Sequence, residues 1–203
     1  MAQQRQLPKD IHPETLSRLS PIRREELGEE QKKQFDTMSK PPTGGLNLAG
    51  LKGPAGVWIR MPALSRQMSG MNRALRTELG LDPRLVEVAI LATAREMSSQ
   101  FEWCMHEPVA TGKGVARETV DLIRHRRPLA GVPENEACLI ELAREAIGAK
   151  KVTPETYARA KKVFGEEALL GYVALIGNYA MTAIVLGIFD QQLHDGMEPL
   201  LPV

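Results

Sequence analysis

The sequence has few cysteines, few aromatic residues and almost no net charge. Its 203 residues include two cysteines, Cys104 and Cys138, which lie far apart and form no C-x-x-C pair. This excludes a disulfide framework and zinc-finger spacing, and it favours a reducing, cytoplasmic location. Aromatic residues make up 4% of the chain and the formal net charge is +1. The first value argues against a β-sandwich or β-barrel, and the second predicts no nucleic-acid partner.

The sequence predicts no export signal, and one apolar segment requires a membrane test. Residues Met1–Ile11 contain no apolar h-region, which a signal peptide needs. The segment Ala168–Phe189 has no charged residue and is long enough to cross a bilayer. Its flanks are acidic and the polar pair Asn178-Tyr179 interrupts it. We therefore expect a buried core or interface helix, and no membrane partner.

The apolar pattern predicts one all-α domain with an N-terminal helical extension. Residues 1–45 are expected to form an arm and an extension helix, the helix covering Arg23–Ser39. Residues 46–203 are expected to form the all-α domain. No stretch alternates between apolar and polar residues over the length of a strand, which a half-buried strand would require.

Prolines and glycines mark the predicted boundaries. Asp82 before Pro83 is typical of a helix start, and Gly165 is typical of a helix end. The segment Thr43–Pro62 is rich in glycine and proline but carries many apolar residues. We expect an ordered functional loop there, with Trp58 over a pocket.

Glu87 interrupts an almost unbroken apolar run, Leu85–Ala94. A carboxylate in such surroundings must be paired, hydrogen-bonded or protonated, since an unpaired buried charge is costly. Desolvation would raise its pKa, which suits a general acid. The alternatives are that Glu87 faces solvent or forms an ion pair with Arg84 or Arg95. The sequence makes Glu87 a candidate acid with these alternatives open.

Three polar residues share one face of the next predicted helix. Ser99, Glu102 and His106 stand at positions i, i+3 and i+7. Glu102 can therefore orient the imidazole of His106 and provide an acid/base pair that works near neutral pH. The structural alternatives are a capping box formed by Ser99 and Glu102, and a core or interface histidine at 106.

Metal, phosphate and serine-nucleophile sites lack their usual sequence patterns. Glu102 and His106 could bind a metal together with Glu87, but the histidines are scattered and no H-x-x-x-H occurs. Zinc and iron sites need more convergent donors. No G-x-S-x-G elbow surrounds Ser99, and no phosphate loop or dinucleotide motif is present. We predict no metal and no cofactor.

The sequence resembles the carboxymuconolactone decarboxylase family, which includes the AhpD-type alkylhydroperoxidases. The matching stretches are KGPAGVWIRMPALSRQM, PRLVEVAILATAREMSSQFEWCMHEPVATGKGV and FGEEALLGYVALIGNYAMTAIVL. Together they cover roughly Gly50 to Phe189. The resemblance implies an all-helical fold, often assembled as trimers or hexamers, and chemistry without metal or organic cofactor.

The peroxidase branch of that family has a Glu, a C-x-x-C pair and then a His. Aligning this pattern on His106 places its Glu at Glu87 and its two cysteines at Ser99 and Glu102, so both redox cysteines are missing. Cys104 occupies neither position and lies on another side of the helix than His106. Peroxide reduction of this type needs a low-pKa thiolate and a resolving thiol. The resemblance therefore implies the non-redox, decarboxylase-like branch.

These residues suggest a cofactor-free acid/base enzyme for a small carboxylated or lactone-type substrate. Decarboxylation would leave charge on a carbonyl oxygen, which the protein must stabilise before a proton reaches carbon. His106, held by Glu102, would stabilise this charge or donate the proton, and Glu87 would be the alternate acid. The predicted substrate-binding residues are Ser99, Arg95, Arg60 and Trp58, with the two arginines gripping a carboxylate.

Two other functions stay open. A catalytically silent oligomeric binding protein would use the three polar residues of the helix face as cap and interface groups, and an alkylhydroperoxidase would use Cys104. The segment Ala168–Phe189 offers more apolar surface than one small helical domain covers. We therefore expect a homo-oligomer, a dimer, trimer or hexamer, with a small-molecule substrate as the other partner.

Overall fold

The computed structural model describes residues 7–39 and 51–202, and these residues form an all-α fold. The prediction of the fold class is confirmed. Within the described ranges there are eight α-helices and no β-sheet. The helices are α1 (Glu29–Met38), α2 (Pro54–Trp58), α3 (Pro62–Arg73), α4 (Pro83–Glu96), α5 (Gln100–Gly112), α6 (Arg117–Arg124), α7 (Glu134–Ala143) and α8 (Pro154–Ile188).

Local capping chemistry sets several helix ends. The side chain of Asp82 accepts a 2.8 Å hydrogen bond from the backbone N–H of Arg84, which confirms the predicted start of α4. Thr153 caps α8 in the same way, accepting from the N–H of Thr156. Inside α8, Gly165 has φ 75° and breaks the helical path, so the predicted stop is present as a sharp break. Glycine suits this position because it adopts positive φ without strain.

Two helices end in π-helical turns. Ala74–Glu78 follows α3 directly, and Arg144–Ala149 follows α7. A π turn carries more residues per turn than an α-helix and frequently occurs at functional sites. The turn Ala74–Glu78 places Arg76 against the interior, where it contacts the candidate site.

The central helix is α4. Every residue from Leu85 to Arg95 is buried, and α4 packs against α5, α6, α7 and α8. A helix that is apolar on all sides has to be covered on all sides. Glu87 therefore lies at the centre of the molecule with no exposed surface.

The N-terminal extension is helical over a shorter range than predicted. A 3-10 turn, Arg24–Glu26, comes first, and α1 begins at Glu29. Gly28 separates the two, and its N–H donates to the side chain of Gln31. A glycine is a poor interior helix residue, which explains why the predicted helix Arg23–Ser39 was too long. The proposed boundary between residues 45 and 46 lies outside the described residues.

The segment Thr43–Pro62 is only partly a loop. Residues 43–50 lie outside the described residues, and the following part contains α2, so the prediction of a loop is wrong there. Pro54 is the first residue of α2, a position that suits proline. Gly53 precedes it at φ 76°, and a Cβ there would come within 2.6 Å of the Phe101 ring. This close approach joins α2 to α5.

The C-terminal tail runs back over α5. The side-chain oxygen of Gln100 accepts hydrogen bonds from the N–H groups of Leu200 and Leu201, and its amide nitrogen donates to the Leu201 carbonyl at 2.7 Å. The thiol of Cys104 also contacts the carbonyl of Glu198 at 3.6 Å. The tail thus covers the side of α5 that faces away from His106.

The helix α8 is long and apolar enough to cross a membrane, judged by length and composition alone. In the fold, 56% of its most apolar window is buried, which is typical of a core helix in a water-soluble domain. An exposed apolar stripe remains on its outer side, formed by Leu170, Val173, Ile184 and Ile188.

Candidate active site

The centre of the candidate site is the buried imidazole of His106 on α5. Its Nδ1 lies 2.7 Å from the Oε2 atom of Glu87 on α4. Its Nε2 lies 3.6 Å from the Oε2 atom of Glu102, one turn earlier on α5. The ring of Tyr179 on α8 meets the imidazole edge to face, with centroids 5.1 Å apart. Three helices therefore fix the histidine between two carboxyl groups.

Glu87 is held by cations as well as by the histidine. Its Oε1 accepts a 2.8 Å hydrogen bond from the Lys113 ammonium and a 3.2 Å hydrogen bond from the Arg76 guanidinium. Burial raises the pKa of Glu87, but the hydrogen bond and charge of His106, the Lys113 hydrogen bond and the Arg76 charge outweigh it. The net result lowers the pKa to about 2.

The prediction of Glu87 as a general acid is therefore wrong. A carboxyl group with so low a pKa is ionised near neutral pH and has no proton to give. Its ion pair is with Arg76 and Lys113 rather than with Arg84 or Arg95, which contact other groups. Arg84 pairs with the buried Glu136.

Glu102 has the raised pKa that we expected for Glu87 from the sequence. It is almost fully buried, and burial raises its pKa more than the charges of His106 and Arg76 lower it. No described residue gives this carboxyl a hydrogen bond at ordinary distance. Of the two carboxyl groups, Glu102 is the one that can hold a proton for donation.

A cleft opens on the Nε2 side of the imidazole. It has a volume of about 160 Å³. Glu102, His106 and Tyr179 reach it, whereas Glu87 stays behind the histidine and does not line it. The remaining lining residues are Pro54, Ala55, Trp58, Ser65, Met68, Ser69, Asn72, Phe101, Met105, Asn178 and Thr182.

The geometry fixes how His106 can act. Ionised Glu87 can only accept hydrogen bonds, so the Nδ1 atom of His106 must carry the hydrogen between them. The lone pair of the neutral imidazole then lies on Nε2, which faces the cleft and Glu102. The Glu87 carboxylate also stabilises the imidazolium that forms when Nε2 takes a proton.

Of the four predicted substrate-binding residues, only Trp58 lines this cleft. Arg60 donates to the backbone carbonyls of Gly56 and Ser20 instead. Arg95 donates to the carbonyl of Arg124 at 2.6 Å. The structure brings neither arginine to this cleft, because backbone carbonyls in other parts of the fold engage both, and Arg60 lines a different pocket. Their binding of a substrate carboxylate stays a prediction.

Ser99 is the N-cap residue of α5 but makes no side-chain capping hydrogen bond. The capping box that its spacing with Glu102 suggested is therefore absent. Ser99 does not line the cleft, so its prediction as a substrate-binding residue is also wrong. The Glu102 side chain turns toward His106 instead of reaching back to the helix start.

The thiol of Cys104 is poorly placed for redox chemistry. It is 1% exposed and lies under the C-terminal tail. Burial raises its pKa, so little reactive thiolate forms near neutral pH. Among the described residues, no group of three or more His, Cys, Asp or Glu side chains could hold a metal ion.

Sequence reasoning missed Arg76, Lys113, Asn178 and Tyr179 as members of the site. Lys113 did carry a signal, since it stands at i+7 from His106 and so on the same helix face. Arg76 lies 11 residues before Glu87 on another helical segment, and no local spacing connects it to the site. Asn178 and Tyr179 did carry a signal, because they are a polar pair within an apolar helix. Buried polar residues of this kind need partners, and these two point toward the cleft.

Comparison with known proteins gives a family-model match over part of the chain and a similar fold. Residues 62–144 match the model of the carboxymuconolactone decarboxylase family. A crystal structure from Agrobacterium tumefaciens, of a protein of unknown function described as a candidate antioxidant defence protein AhpD, has a similar fold. Its TM-score is 0.62 at 14% sequence identity, over 68% of this chain and 95% of that one. No curated protein matches the chain.

Proposed function

Since residues 62–144 match the carboxymuconolactone decarboxylase family model and the fold is AhpD-like, we propose that this chain is a cofactor-free acid/base enzyme. Its substrate is a small carboxylated or lactone-type carbonyl compound, bound in the cleft beside His106. The reaction class is proton transfer at a carbon next to a carbonyl group. Decarboxylation and lactone isomerisation both include such a step.

In this mechanism the two cleft-facing groups have opposite roles. The Nε2 atom of His106 takes the proton from the carbon next to the carbonyl group. Glu102 gives its proton to the carbonyl oxygen, so the substrate becomes an enol and Glu102 a carboxylate. Glu87 does not touch the substrate, and it positions His106 and stabilises its imidazolium. Return of the two protons, at the same or another carbon, completes the cycle.

One observation carries this proposal: a buried histidine has one nitrogen bound to an ionised carboxylate and the other facing a cleft beside a carboxyl of raised pKa. Buried groups with opposite pKa shifts around one histidine are typical of acid/base sites. A purely structural histidine needs neither the second carboxyl nor access to a cleft.

The test follows exchange of the proton next to the carbonyl group of γ-butyrolactone for deuterium in D₂O, by NMR. We expect the protein to speed this exchange, and His106→Gln to slow it by about 10²-fold or more, the usual contribution of a positioned base. Glu102→Gln should also slow it, because an amide cannot give up a proton. Both variants have to melt at nearly the wild-type temperature.

The matched control is His125→Gln. His125 is half-exposed and pairs with Asp121 at 3.3 Å, away from the cleft. Its replacement should leave the exchange rate unchanged. Equal rates in wild type, His106→Gln and Glu102→Gln would refute the proposed function and favour a binding protein.

The exposed apolar stripe of α8 leads us to propose a homo-oligomer, and the free thiols of Cys104 and Cys138 favour a cytoplasmic location. Leu170, Val173, Ile184 and Ile188 repeat at helical spacing along one face, and a second copy of the chain would cover them. We expect the protein to sediment as more than a monomer and Ile184→Lys to dissociate it. Leu200→Lys changes an exposed leucine outside the stripe and should not. A monomeric wild type would contradict this assembly.

A further inference from the structure

The lining of the cleft contains acidic and uncharged groups but no basic side chain other than His106. None of its described lining residues is Lys or Arg. Its ionisable members are His106, Glu102 and Tyr179. Burial raises the pKa of the Tyr179 hydroxyl, so this group is also uncharged at neutral pH. A ligand in the cleft therefore meets no permanent positive charge at contact distance.

The nearest cations do not line the cleft. Arg76 and Lys113 each donate a hydrogen bond to Glu87, which lies on the far side of His106 from the cleft. The Nε atom of Arg76 is buried and has no hydrogen-bond partner among residues 7–39 and 51–202, but Arg76 is not part of the cleft wall. A carboxylate group in the cleft would lose its hydration and face the Glu102 carboxyl without a guanidinium or ammonium partner. Burying a charge under these conditions is strongly unfavourable.

Apolar, amide and hydroxyl groups make up the rest of the wall. Trp58, Met68, Phe101 and Met105 supply flat and flexible apolar surface, the usual environment of a small-molecule site. These side chains favour a compact molecule with an apolar body.

Two asparagines add a polar position in the same cleft. The amide nitrogen of Asn178 donates to the side-chain oxygen of Asn72 at 3.5 Å, the outer limit of a hydrogen bond. Asn178 is 6% exposed, and its own side-chain oxygen has no partner among residues 7–39 and 51–202. An unsatisfied buried amide is costly. A hydroxyl group inserted between the two amides would replace the long bond and give the Asn178 oxygen a donor.

We propose that the cleft binds a small, uncharged hydroxy-carbonyl compound, of which a hydroxylated lactone is the simplest example. The carbonyl group faces His106 and Glu102, and the hydroxyl group lies between Asn72 and Asn178. This inference rests on the proposed function for the placement of the carbonyl group. It narrows the substrate class, because it favours the lactone over the carboxylate form.

The experiment measures binding, by ligand-observed NMR, of three probes to the full-length protein. They are α-hydroxy-γ-butyrolactone, γ-butyrolactone, and the open-chain anion 4-hydroxybutanoate. We expect the hydroxylated lactone to bind about fivefold more tightly than the plain lactone, the effect of one net hydrogen bond. The anion should bind most weakly of the three.

Substitutions of the asparagines test where the hydroxyl group of the ligand binds. In Asn178→Ala the hydroxylated and plain lactones should bind equally. Asn135→Ala is the matched control, since Asn135 bonds the backbone N–H of Glu136 at the start of α7, and it should keep the fivefold ratio. If Asn178→Ala does not fold, Asn72→Ala replaces it in the test. The ratio of the affinities for the hydroxylated and the plain lactone should then be about fivefold in the wild type and lost in Asn72→Ala.

The outcomes separate this inference from the proposed function. No binding of the hydroxylated lactone at tens of millimolar, no preference for it in the wild type, or tightest binding of the anion would each overturn the inference. A preference that survives in Asn178→Ala would also overturn it. His106→Gln is expected to bind the hydroxylated lactone while losing proton exchange, so a failed reaction and a failed ligand class give different results.

Discussion

The two ring nitrogens of His106 face carboxyl groups that have different surroundings. On the Nδ1 side, Glu87 is sealed inside the protein and surrounded by Arg76, Lys113 and the imidazole. On the Nε2 side, Glu102 is also buried but lies beside a cleft and has no cation in hydrogen-bond contact. Both carboxyl groups lose their hydration, yet their pKa values move in opposite directions. Burial alone therefore does not determine ionisation, because Glu87 has hydrogen bonds to His106, Lys113 and Arg76 that Glu102 lacks.

The largest effect on stability is expected from Glu87→Gln, which replaces the ionised carboxylate by an uncharged amide. The substitution leaves Arg76 and Lys113 inside the protein without their carboxylate. Breaking a buried ion pair from one side typically costs about 3–5 kcal/mol, and we expect a loss of this size in the free energy of unfolding, measured in urea. Glu118→Gln, at the exposed start of α6, should change it by less than about 0.5 kcal/mol.

The same contrast predicts how stability depends on pH. The folded-state pKa of Glu87, about 2, lies below its ordinary value of 4.5. Its contribution to stability is therefore present above the unfolded pKa and is lost as the pH falls through the folded value. The wild type should lose stability over this acidic range, and Glu87→Gln should lose less. Parallel curves for the two proteins would contradict the assigned ionisation.

Lys113→Met removes one of the two cations bonded to Glu87 and should destabilise the protein less than Glu87→Gln does. Lys113 is about one-third exposed, with 32% of its side chain accessible, so solvent already weakens its pair with Glu87. A hydrogen bond to a charged group contributes about 1.5–3 kcal/mol when buried, and we expect about 1 kcal/mol here after screening. Acid unfolding should begin at higher pH in this variant. Lys113→Arg should restore most of the loss if the charge, and not the shape, is responsible.

The smallest effect on stability is expected from Glu102→Gln, which changes the carboxyl group next to the Nε2 atom of His106. Because the folded pKa of Glu102 is raised, its proton contributes stability that is fully present below the unfolded pKa and is lost as the pH rises through the folded one. The variant should stay within about 1 kcal/mol of the wild type near pH 4. It should become relatively more stable at alkaline pH. A large loss at every pH would show that Glu102 is ionised and paired.

The sequence could predict what depends on neighbours along the chain. The start of α4 at Asp82 and the break at Gly165 rest on local backbone chemistry, and both are present. The i, i+4 spacing of Glu102 and His106 also depends only on helix geometry, and the structure brings the two side chains to one place. Regular helices transmit such spacings from sequence to structure with little change.

What the sequence could not predict depends on contacts between distant segments. The pKa of Glu87 is lowered first by His106 and then by Lys113 and Arg76, and the sequence alone does not identify Arg76 as a partner. Arg60 and Arg95 do not reach the cleft, because a guanidinium group donates hydrogen bonds to any well-placed oxygen and backbone carbonyls elsewhere in the fold accept them. The apolar run around Glu87 showed that this carboxyl needed a partner or a proton, but only the packing of the helices identifies its partners.

The π-helical turn at Ala74–Glu78 makes the position of Arg76 sensitive to chain length. Each residue of a regular helix rotates the next by about 100°, so deleting one residue from this turn would swing the guanidinium group off Glu87 while leaving α3 intact. A single-codon deletion or insertion here would thus be far more damaging than most substitutions at the same positions. Relatives with a different length at this turn would need another cation to neutralise the buried carboxylate.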